Sequence, residues 1–295
     1  MFPAGDSRFR TRFVTLRSGL RVRVVEAGDA TAPPVVFIPG WACSVYVYRF
    51  LLVAVADAGY RAIAFDVQGH GLSDKPSHPS AYTAEALTEH VLQVLDALKF
   101  DRVILGGHSM GAMLAARAAL AAPQRVSALV LLAPVGLTAF RGIHALRLAT
   151  LRPVRRFLPY LLRRWVFRLI LLFVYGRRGR ATAQDVDEYW APSQFPEFAP
   201  AMRDLFHELD WGVRAPALLE RISVPVFYAR GSRDTLLSGR RARRECARMR
   251  EVRVLHIERA GHVIAEEACE ELAPALIRFL NEVTGRASAP SRRRV

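Results

Sequence analysis

Three side chains in the sequence have types that together could activate a hydroxyl group for attack on a carbonyl carbon. Ser109 lies in the sequence GHSMG at 107–111, Asp234 follows GSR at 231–233, and His262 follows a glycine. A serine hydroxyl is a weak nucleophile until a base removes its proton, and the pKa of histidine suits it to that task. A carboxylate then fixes the imidazole tautomer and stabilises its protonated form. These types predict acyl chemistry with Ser109 as nucleophile, His262 as base and Asp234 as the orienting acid.

The surroundings of Ser109 are more specific than the five-residue pattern itself. The apolar run 102–105 precedes it and the helical stretch 110–121 follows it, which places the serine on a turn between a strand and a helix. Glycines two residues to either side leave room for a chain that doubles back on itself. The start of the helix adds free N–H groups and a positive dipole. This context favours a nucleophile over a serine that only caps a helix.

Other acids and another histidine compete for the roles of Asp234 and His262. His256 lies inside a strand pattern, where a structural histidine is expected. Asp210 lies near the end of an inserted segment, and Glu258 is too close to His262 in sequence to approach its ring. Capping of a turn is the alternative role for Asp234 itself, because loop carboxylates often accept hydrogen bonds from nearby backbone N–H groups.

Acyl transfer also needs hydrogen-bond donors for the oxyanion that forms on the attacked carbonyl group. The backbone N–H of Met110, directly after the nucleophile, and that of Trp41, after the apolar run 34–38, are the candidates. Backbone donors do not depend on side-chain identity, so Pro39 is compatible with an oxyanion hole, although it changes how the turn is held.

Short apolar runs alternate with helical stretches along most of the chain. After an antiparallel hairpin at 12–16 and 20–25, the runs typical of buried strands lie at 34–38, 61–65, 102–105, 128–132, 224–229 and 252–257. The helical stretches lie at 45–58, 84–98, 110–121, 240–249 and 265–280. This alternation predicts an α/β fold with a mostly parallel, eight-stranded sheet flanked by helices. Right-handed crossovers then bring the carboxyl ends of the parallel strands to one edge, where sites form.

The alternation stops between residues 134 and 216, which are helical in period, rich in arginine and aromatic residues, and without strand runs. We expect an inserted helical lid here, a core formed by 1–133 and 217–283, and a flexible basic tail at 284–295. A lid over the sheet edge predicts an apolar roof for the substrate pocket, which favours an apolar acyl or aromatic group in the substrate. The candidate lining residues are Phe157, Tyr160, Trp165 and Phe167.

A helix wound from about residue 161 separates charge from apolar surface. Arg163, Arg164 and Arg168 would lie toward one side, and Trp165, Leu169 and Leu172 would lie toward the other. A basic face beside an aromatic and aliphatic face suits the surface of a membrane with anionic lipids. The alternative is a lid whose apolar side covers the pocket while its arginines are solvated, and both interpretations stay open.

From about residue 12 to 282 the sequence resembles the α/β-hydrolase superfamily, and four matches occur in the family's order. IPGW at 38–41 resembles the oxyanion turn, with Pro39 where the family often has histidine. Residues 66–76 resemble the family's Asp-x-x-Gly-x-Gly-x-Ser loop, whose glycines we interpret as turn-forming rather than as part of a metal or phosphate site. GHSMG resembles the nucleophile elbow, and Asp234 and His262 match the late acid and the late histidine.

The resemblance implies several possible reactions, and the identity of the nucleophile, Ser109, distinguishes between them. The family includes dehalogenases and epoxide hydrolases, whose nucleophile is aspartate, and a serine argues against both. The leading expectation is a serine hydrolase that cleaves a carboxylic ester through an acyl-enzyme intermediate. A C–C bond hydrolase of ring-cleavage products, a thioesterase or an acyltransferase is the alternative, because all use the same triad. The alternative hypothesis outside the enzymes is a binding protein that uses the fold without catalysis.

The charge of the chain is high but confined to two places. The formal net charge is +15, and residues 137–182 contain eleven arginines and no acid while 284–295 contain four more, so the rest is balanced. With no nucleic-acid-binding motif, this distribution argues against a nucleic-acid partner. We expect a small ester-type substrate, with peripheral membrane contact through the arginine-rich lid as a hypothesis.

Composition limits the class of protein further. The chain has 295 residues, of which 52% are hydrophobic, enough for one large domain. Three cysteines fit neither a disulfide framework nor a zinc site, and no cofactor or metal fingerprint occurs, so none is expected. The first residues lack a secretory pattern, and no apolar run is long enough to span a bilayer. We therefore expect a cytoplasmic protein.

Overall fold

The structure, a computed structural model, describes residues 1–137, 162–176, 181–211 and 219–286. The strands are β1 Arg10–Thr15, β2 Arg21–Ala27, β3 Pro34–Ile38, β4 Arg61–Phe65, β5 Val103–His108, β6 Val126–Leu132, β7 Val226–Gly231 and β8 Val252–Ile257. The helices are α1 Arg49–Asp57, α2 Ala84–Ala97, α3 Met110–Ala121, α4 Arg164–Val174, α5 Ala183–Trp190, α6 Phe198–Glu208, α7 Gly239–Cys246, α8 Ile264–Glu267 and α9 Cys269–Thr284.

All eight strands form one sheet in the order β1-β2-β4-β3-β5-β6-β7-β8. The pairs β1/β2 and β2/β4 are antiparallel, and the remaining neighbours are parallel. The predicted fold class, a mostly parallel eight-stranded sheet flanked by helices, is confirmed. The carboxyl ends of β5, β7 and β8 therefore lie at one edge, and each of the loops that follow them carries one candidate catalytic residue.

Both faces of the sheet are buried over its central strands β3 to β7, which explains why those strands are continuous apolar runs. Val36 and Ile38 of β3 belong to one apolar cluster, whereas Val35 and Phe37 belong to a second cluster. Since successive side chains of a strand point to opposite faces, the central strands supply both clusters, whereas β1 and β8 at the two edges are largely exposed. This burial on two sides gives the loops at the sheet edge a rigid support.

The last predicted helix differs from the structure in one detail. The stretch 265–280, predicted as one helix, forms α8 and α9, because Ala268 between them has non-helical dihedral angles (φ −144°, ψ 37°). Thr284 is the last residue of α9, and Gly285 ends that helix in the left-handed conformation, so the tail at 284–295 stays a prediction. Residues 287–295 of that tail lie outside the described residues.

Within the described part of 134–216, the structure contains α4, α5 and α6 and no strand. The helix predicted from about residue 161 begins at Arg164 and contains eleven residues. The division of the chain into a core and a lid stays a prediction, and 138–161, 177–180 and 212–218 lie outside the described residues.

A buried ion pair fixes the loop that follows β4. The Arg23 Nε donates to Oδ2 of Asp66 over 2.6 Å, and the two side chains are only 2% and 0% exposed. Asp66 also accepts hydrogen bonds from the backbone N–H groups of Val45 (2.8 Å) and Leu72 (2.9 Å). The loop at 66–76 is thus built around a structural carboxylate, in agreement with a turn-forming role for its glycines.

Replacing Asp66 by alanine should lower the free energy of unfolding by about 3–5 kcal/mol, because Arg23 would be left buried and unpaired. Urea unfolding monitored by circular dichroism measures the change. Asp96→Ala is the matched control: Asp96 pairs with Arg125 over 2.8 Å at the surface, where its side chain is 52% exposed. That control should cost at most about 1 kcal/mol, and an equal effect of the two substitutions would contradict the role of Asp66.

Candidate active site

The turn at Ser109 is held in a conformation that few residues adopt. Ser109 has φ 55° and ψ −119°, between the last residue of β5 and the first of α3. A Cβ atom at Gly107 would lie 2.2 Å from the carbonyl group of Gly111, so the turn closes only with glycine there. The Ser109 N–H donates to the carbonyl oxygen of Leu132 over 2.9 Å. The predicted strand-turn-helix context of the serine is present, and its backbone is fixed by the neighbouring strand β6.

The turn after β3 lies directly against Ser109. A Cβ atom at Gly111 would lie 2.0 Å from the carbonyl oxygen of Ile38, and one at Gly40 would lie 3.0 Å from Cβ of Ser109. In the part of the chain that the structure describes, the N–H groups of Trp41 and Met110 have no hydrogen-bond acceptor. Both predicted oxyanion donors are therefore free to donate a hydrogen bond to a ligand oxygen.

Asp234 and His262 form a buried, hydrogen-bonded pair. Nδ1 of His262 lies 2.9 Å from Oδ2 of Asp234, and the two side chains are almost completely enclosed. Oδ1 of Asp234 accepts hydrogen bonds from the N–H groups of Leu236 (2.8 Å) and Leu237 (2.9 Å). Burial raises the pKa of Asp234, but His262 and the two N–H groups outweigh it and lower this pKa below its ordinary value. The carboxylate is thus kept charged beside the imidazole.

The competing acids have other partners. Asp210 lies 3.3 Å from Arg117, and Glu258 lies 3.4 Å from His256. Of the candidate acids weighed on the sequence, Asp234 is the one that the structure brings to His262.

The opposite nitrogen of His262 differs from Nδ1 in its surroundings. Nε2 of His262 is buried and has no hydrogen-bond partner among the described residues. The structure does not join it to the hydroxyl of Ser109 by a hydrogen bond. Unliganded sites often hold such pairs apart until substrate binds. The histidine is nevertheless beside the serine's turn, because the rings of His108 and His262 lie 4.9 Å apart.

His108 positions His262, a role that the sequence did not reveal. Nε2 of His108 lies 3.0 Å from the carbonyl oxygen of His262, which is 154 residues away along the chain. A carbonyl oxygen only accepts, so Nε2 carries the proton. Burial, with a smaller effect of His262, lowers the pKa of His108 to about 3 and keeps it neutral. No sequence pattern indicates a contact between residues so far apart.

Glu267 is a second positioning residue that sequence reasoning missed. Its carboxylate accepts hydrogen bonds from the N–H groups of Gly261 (3.0 Å), Val263 (3.2 Å) and Gly176 (2.7 Å). The N–H of His262 between them donates to the carbonyl oxygen of Val174 over 2.7 Å. The loop that carries His262 is thus bound both to its own helix α8 and to the segment that follows α4.

A buried polar network joins α4 and α5 to the core beside that loop. Arg49 contacts Asp185 (2.7 Å) and Glu266 (2.9 Å), and Glu266 accepts hydrogen bonds from the hydroxyl groups of Tyr175 and Tyr189 (both 2.6 Å). Burial raises the pKa of Glu266 above its ordinary value, although Arg49 and the two tyrosines oppose it. Because these members are paired with one another, the network holds α5 and the residue after α4 against the core.

The four residues predicted to line the substrate pocket lie in different environments. Phe157 and Tyr160 lie outside the described residues. Phe167 is buried in the apolar cluster that contains Phe37, and Trp165 is 62% exposed. The exposure of Trp165 argues against its predicted place inside an enclosed pocket, because the helix buries its opposite face. Among the described residues, no cluster of three or more histidine, cysteine or acidic residues could hold a metal ion.

Comparisons with known proteins define the family. Residues 33–268 match the family model of the α/β-hydrolase fold, and the chain belongs to this family. Among curated proteins, it is 40% identical over 113 residues to epoxide hydrolase 2 of Siraitia grosvenorii, a match that covers 38% of this chain and 35% of that protein. The match thus spans about a third of the relative's length.

Two solved structures illustrate how widely the fold is shared. A membrane phospholipase A, a bacterial virulence factor, superimposes with a TM-score of 0.80 at 22% identity, covering 94% of this chain and 87% of the other. A 2-hydroxy-6-oxo-6-phenylhexa-2,4-dienoate hydrolase from Rhodococcus gives 0.77 at 19% identity, covering 92% and 99%. At such identities the likeness shows the fold, and the substrate has to be argued from the site.

The buried histidines make stability depend on pH. Burial lowers the pKa of His70 to about 4 and the pKa values of His90 and His108 to about 3, whereas unfolded histidine titrates near about 6.5. Below that pH the unfolded chain binds protons that the folded chain does not bind, so stability is full above it and falls with decreasing pH. Between pH 6 and pH 5 the free energy of unfolding should fall by about 3–4 kcal/mol.

Urea titrations at the two pH values measure this slope, and His90→Gln should reduce it by about one third, or about 1 kcal/mol per pH unit. The same slope in the wild type and in this variant would contradict a neutral, buried His90.

Proposed function

We propose that this protein is a serine hydrolase that cleaves a carboxylic ester through an acyl-enzyme intermediate. The observation that carries the proposal is the buried hydrogen bond between Asp234 and His262, whose free Nε2 lies beside the turn that holds Ser109. A carboxylate, an imidazole and a hydroxyl in this arrangement supply what acyl transfer needs, namely a base, its orienting acid and a nucleophile.

In the first half-reaction, Oγ of Ser109 attacks the carbonyl carbon while Nε2 of His262 takes the hydroxyl proton. The carbonyl oxygen becomes an oxyanion, which accepts hydrogen bonds from the N–H groups of Trp41 and Met110. The C–O bond to the leaving group then breaks, and His262 gives its proton to the departing alcohol. Asp234 stabilises the imidazolium that exists between these two transfers.

In the second half-reaction, His262 removes a proton from water, and the hydroxide attacks the acyl-enzyme. The same two N–H groups stabilise the second oxyanion, and the carboxylic acid leaves when Ser109 regains its proton from His262. The N–H groups of Trp41 and Met110 support this step, because neither has a hydrogen-bond acceptor among the described residues.

The epoxide hydrolase relatives suggest a different reaction, against which Ser109 is the deciding observation. Opening an epoxide displaces an oxygen from a saturated carbon, for which the family's aspartate-dependent members use a carboxylate nucleophile. Residue 109 of this chain is a serine at the strained turn. A serine is suited to attack on carbonyl carbon instead, so we favour ester substrates. C–C bond hydrolysis, thioester hydrolysis and acyl transfer to another alcohol would use the same residues.

Ser109→Ala should lower kcat/KM on p-nitrophenyl esters by about 1,000-fold or more, because it removes the nucleophile. Assays with acyl chains from acetyl to palmitoyl measure the loss and the preferred chain length. Ser127→Ala, at a half-buried serine that hydrogen-bonds the Val103 carbonyl group in β5, is the matched control and should keep full activity. Turnover that survives in Ser109→Ala would contradict the proposal, and no turnover of any ester by the folded wild type would favour C–C substrates.

Asp234→Asn should lower kcat by about 1,000- to 10,000-fold with little change of KM, because an amide no longer stabilises the imidazolium. The loss should be smaller than that of His262→Ala, which removes the base itself. Steady-state kinetics of both variants, with Asp96→Asn as a surface control, test this order. A trivial effect at Asp234 would assign the acid to another residue.

A further inference from the structure

Helix α4 exposes a continuous stripe of large apolar side chains. Trp165, Leu169 and Phe173 are 62%, 54% and 60% exposed, and Ile170 beside them is 49% exposed. These four are half of the eight large hydrophobic residues that are exposed in the described part of the chain. The spacing of four residues places the first three on one side of the helix. A concentration of this kind on one helix marks a surface that meets a partner.

The helix cannot turn this stripe inward, because its other side is already occupied. Phe167 and Leu171 are buried in the apolar core cluster. The helix is also held at both ends: Nε1 of Trp190 donates to the carbonyl oxygen of Leu162 over 3.0 Å, and the carbonyl oxygen of Val174 accepts from His262. The exposed stripe is therefore a fixed outer surface of the folded protein.

Positive charge borders the stripe. Arg163 and Arg168 are exposed, and neither has an ion-pair partner among the described residues. Arg164 at the start of the helix pairs with Asp187. The segment 137–182 contains eleven arginines and no acidic residue. A partner that combines an apolar interior with negative charge at its edge matches this surface best.

The geometry points to docking of α4 on an anionic lipid bilayer. Trp165, Leu169 and Phe173 enter the boundary between headgroups and acyl chains, while Arg163 and Arg168 contact lipid phosphates. With eleven residues, α4 is about 16 Å long, roughly half the thickness of the hydrocarbon core. No helix of the described residues is long and apolar enough to cross a bilayer, so α4 lies along the surface.

A second copy of this chain fits the same stripe less well. Stable protein interfaces bury about 800 Å² on each partner, more than one side of a single three-turn helix offers. Two copies of α4 facing each other would also bring the unpaired Arg168 side chains near one another, and like charges repel. Charge complementarity therefore favours the bilayer over a dimer.

Vesicle binding tests this docking without any substrate turnover, so its failure is distinguishable from failure of the proposed ester hydrolysis. The purified chain of 295 residues is sedimented with vesicles of phosphatidylcholine and with vesicles that also contain phosphatidylglycerol. We expect binding to the anionic vesicles that weakens with added salt. Brominated lipids should quench the fluorescence of Trp165, a signal identified by its loss in Trp165→Phe. Ser109→Ala should bind like the wild type.

Substitutions in the stripe locate the surface. Phe173→Ser should weaken binding to anionic vesicles by about tenfold or more, because a large apolar side chain no longer leaves water. The matched control is Phe13→Ser, at a 45% exposed residue of the edge strand β1. Arg168→Gln should weaken binding to anionic vesicles more than Arg102→Gln, a substitution of an exposed arginine before β5.

Three outcomes would overturn the inference. Equal binding by Phe173→Ser and Phe13→Ser would place the membrane contact elsewhere. Absence of binding to any vesicle would refute docking on a bilayer altogether. Sedimentation of the wild type as a dimer that Phe173→Ser dissociates, again without vesicle binding, would assign the stripe to a second copy of the chain.

Discussion

The site depends on one close contact between backbones. The carbonyl oxygen of Ile38 lies so near Gly111 that any side chain there would collide with it, and this contact joins the turn after β3 to the start of α3. It places the turn that carries Trp41 next to the turn that carries Ser109 and Met110. The strained dihedral angles of Ser109 cost about 1–3 kcal/mol, which the sheet, buried on both faces, can offset. The strained turn at Ser109 therefore depends on the support of a rigid sheet.

His262 illustrates how separate parts of the chain specify one side-chain position. Its ring is oriented by Asp234, its carbonyl group by His108 and its N–H by Val174, while Glu267 holds the residues on either side. With Nδ1 hydrogen-bonded to Asp234, the imidazole can accept a proton only at Nε2. Because these contacts fix the ring before any substrate is present, little conformational entropy has to be lost during the reaction.

Much of this arrangement was predictable from sequence, and the exceptions share a cause. Continuous apolar runs identified the strands because both sheet faces are buried, and Ser109, Asp234 and His262 stood out because each follows a strand. The contacts of His108 and Glu267 were not predictable, since they join residues distant in sequence and depend on the packed loops. In α4 both sides are apolar, so periodicity alone could not tell that Phe167 faces inward and Trp165 outward.

The backbones of Gly176 and Gly261 cross in close contact, and this crossing restricts how the sequence can evolve. A Cβ atom on either residue would lie 2.2–2.4 Å from the backbone nitrogen of the other, so neither position accepts another residue while the crossing stays as it is. One glycine follows α4, and the other directly precedes His262. A new segment inserted between β6 and β7 would have to supply its own glycine at this crossing. Recombination that replaces the whole segment between β6 and β7 is therefore limited to segments with a glycine at this position. Substitutions elsewhere in the segment are not subject to this requirement.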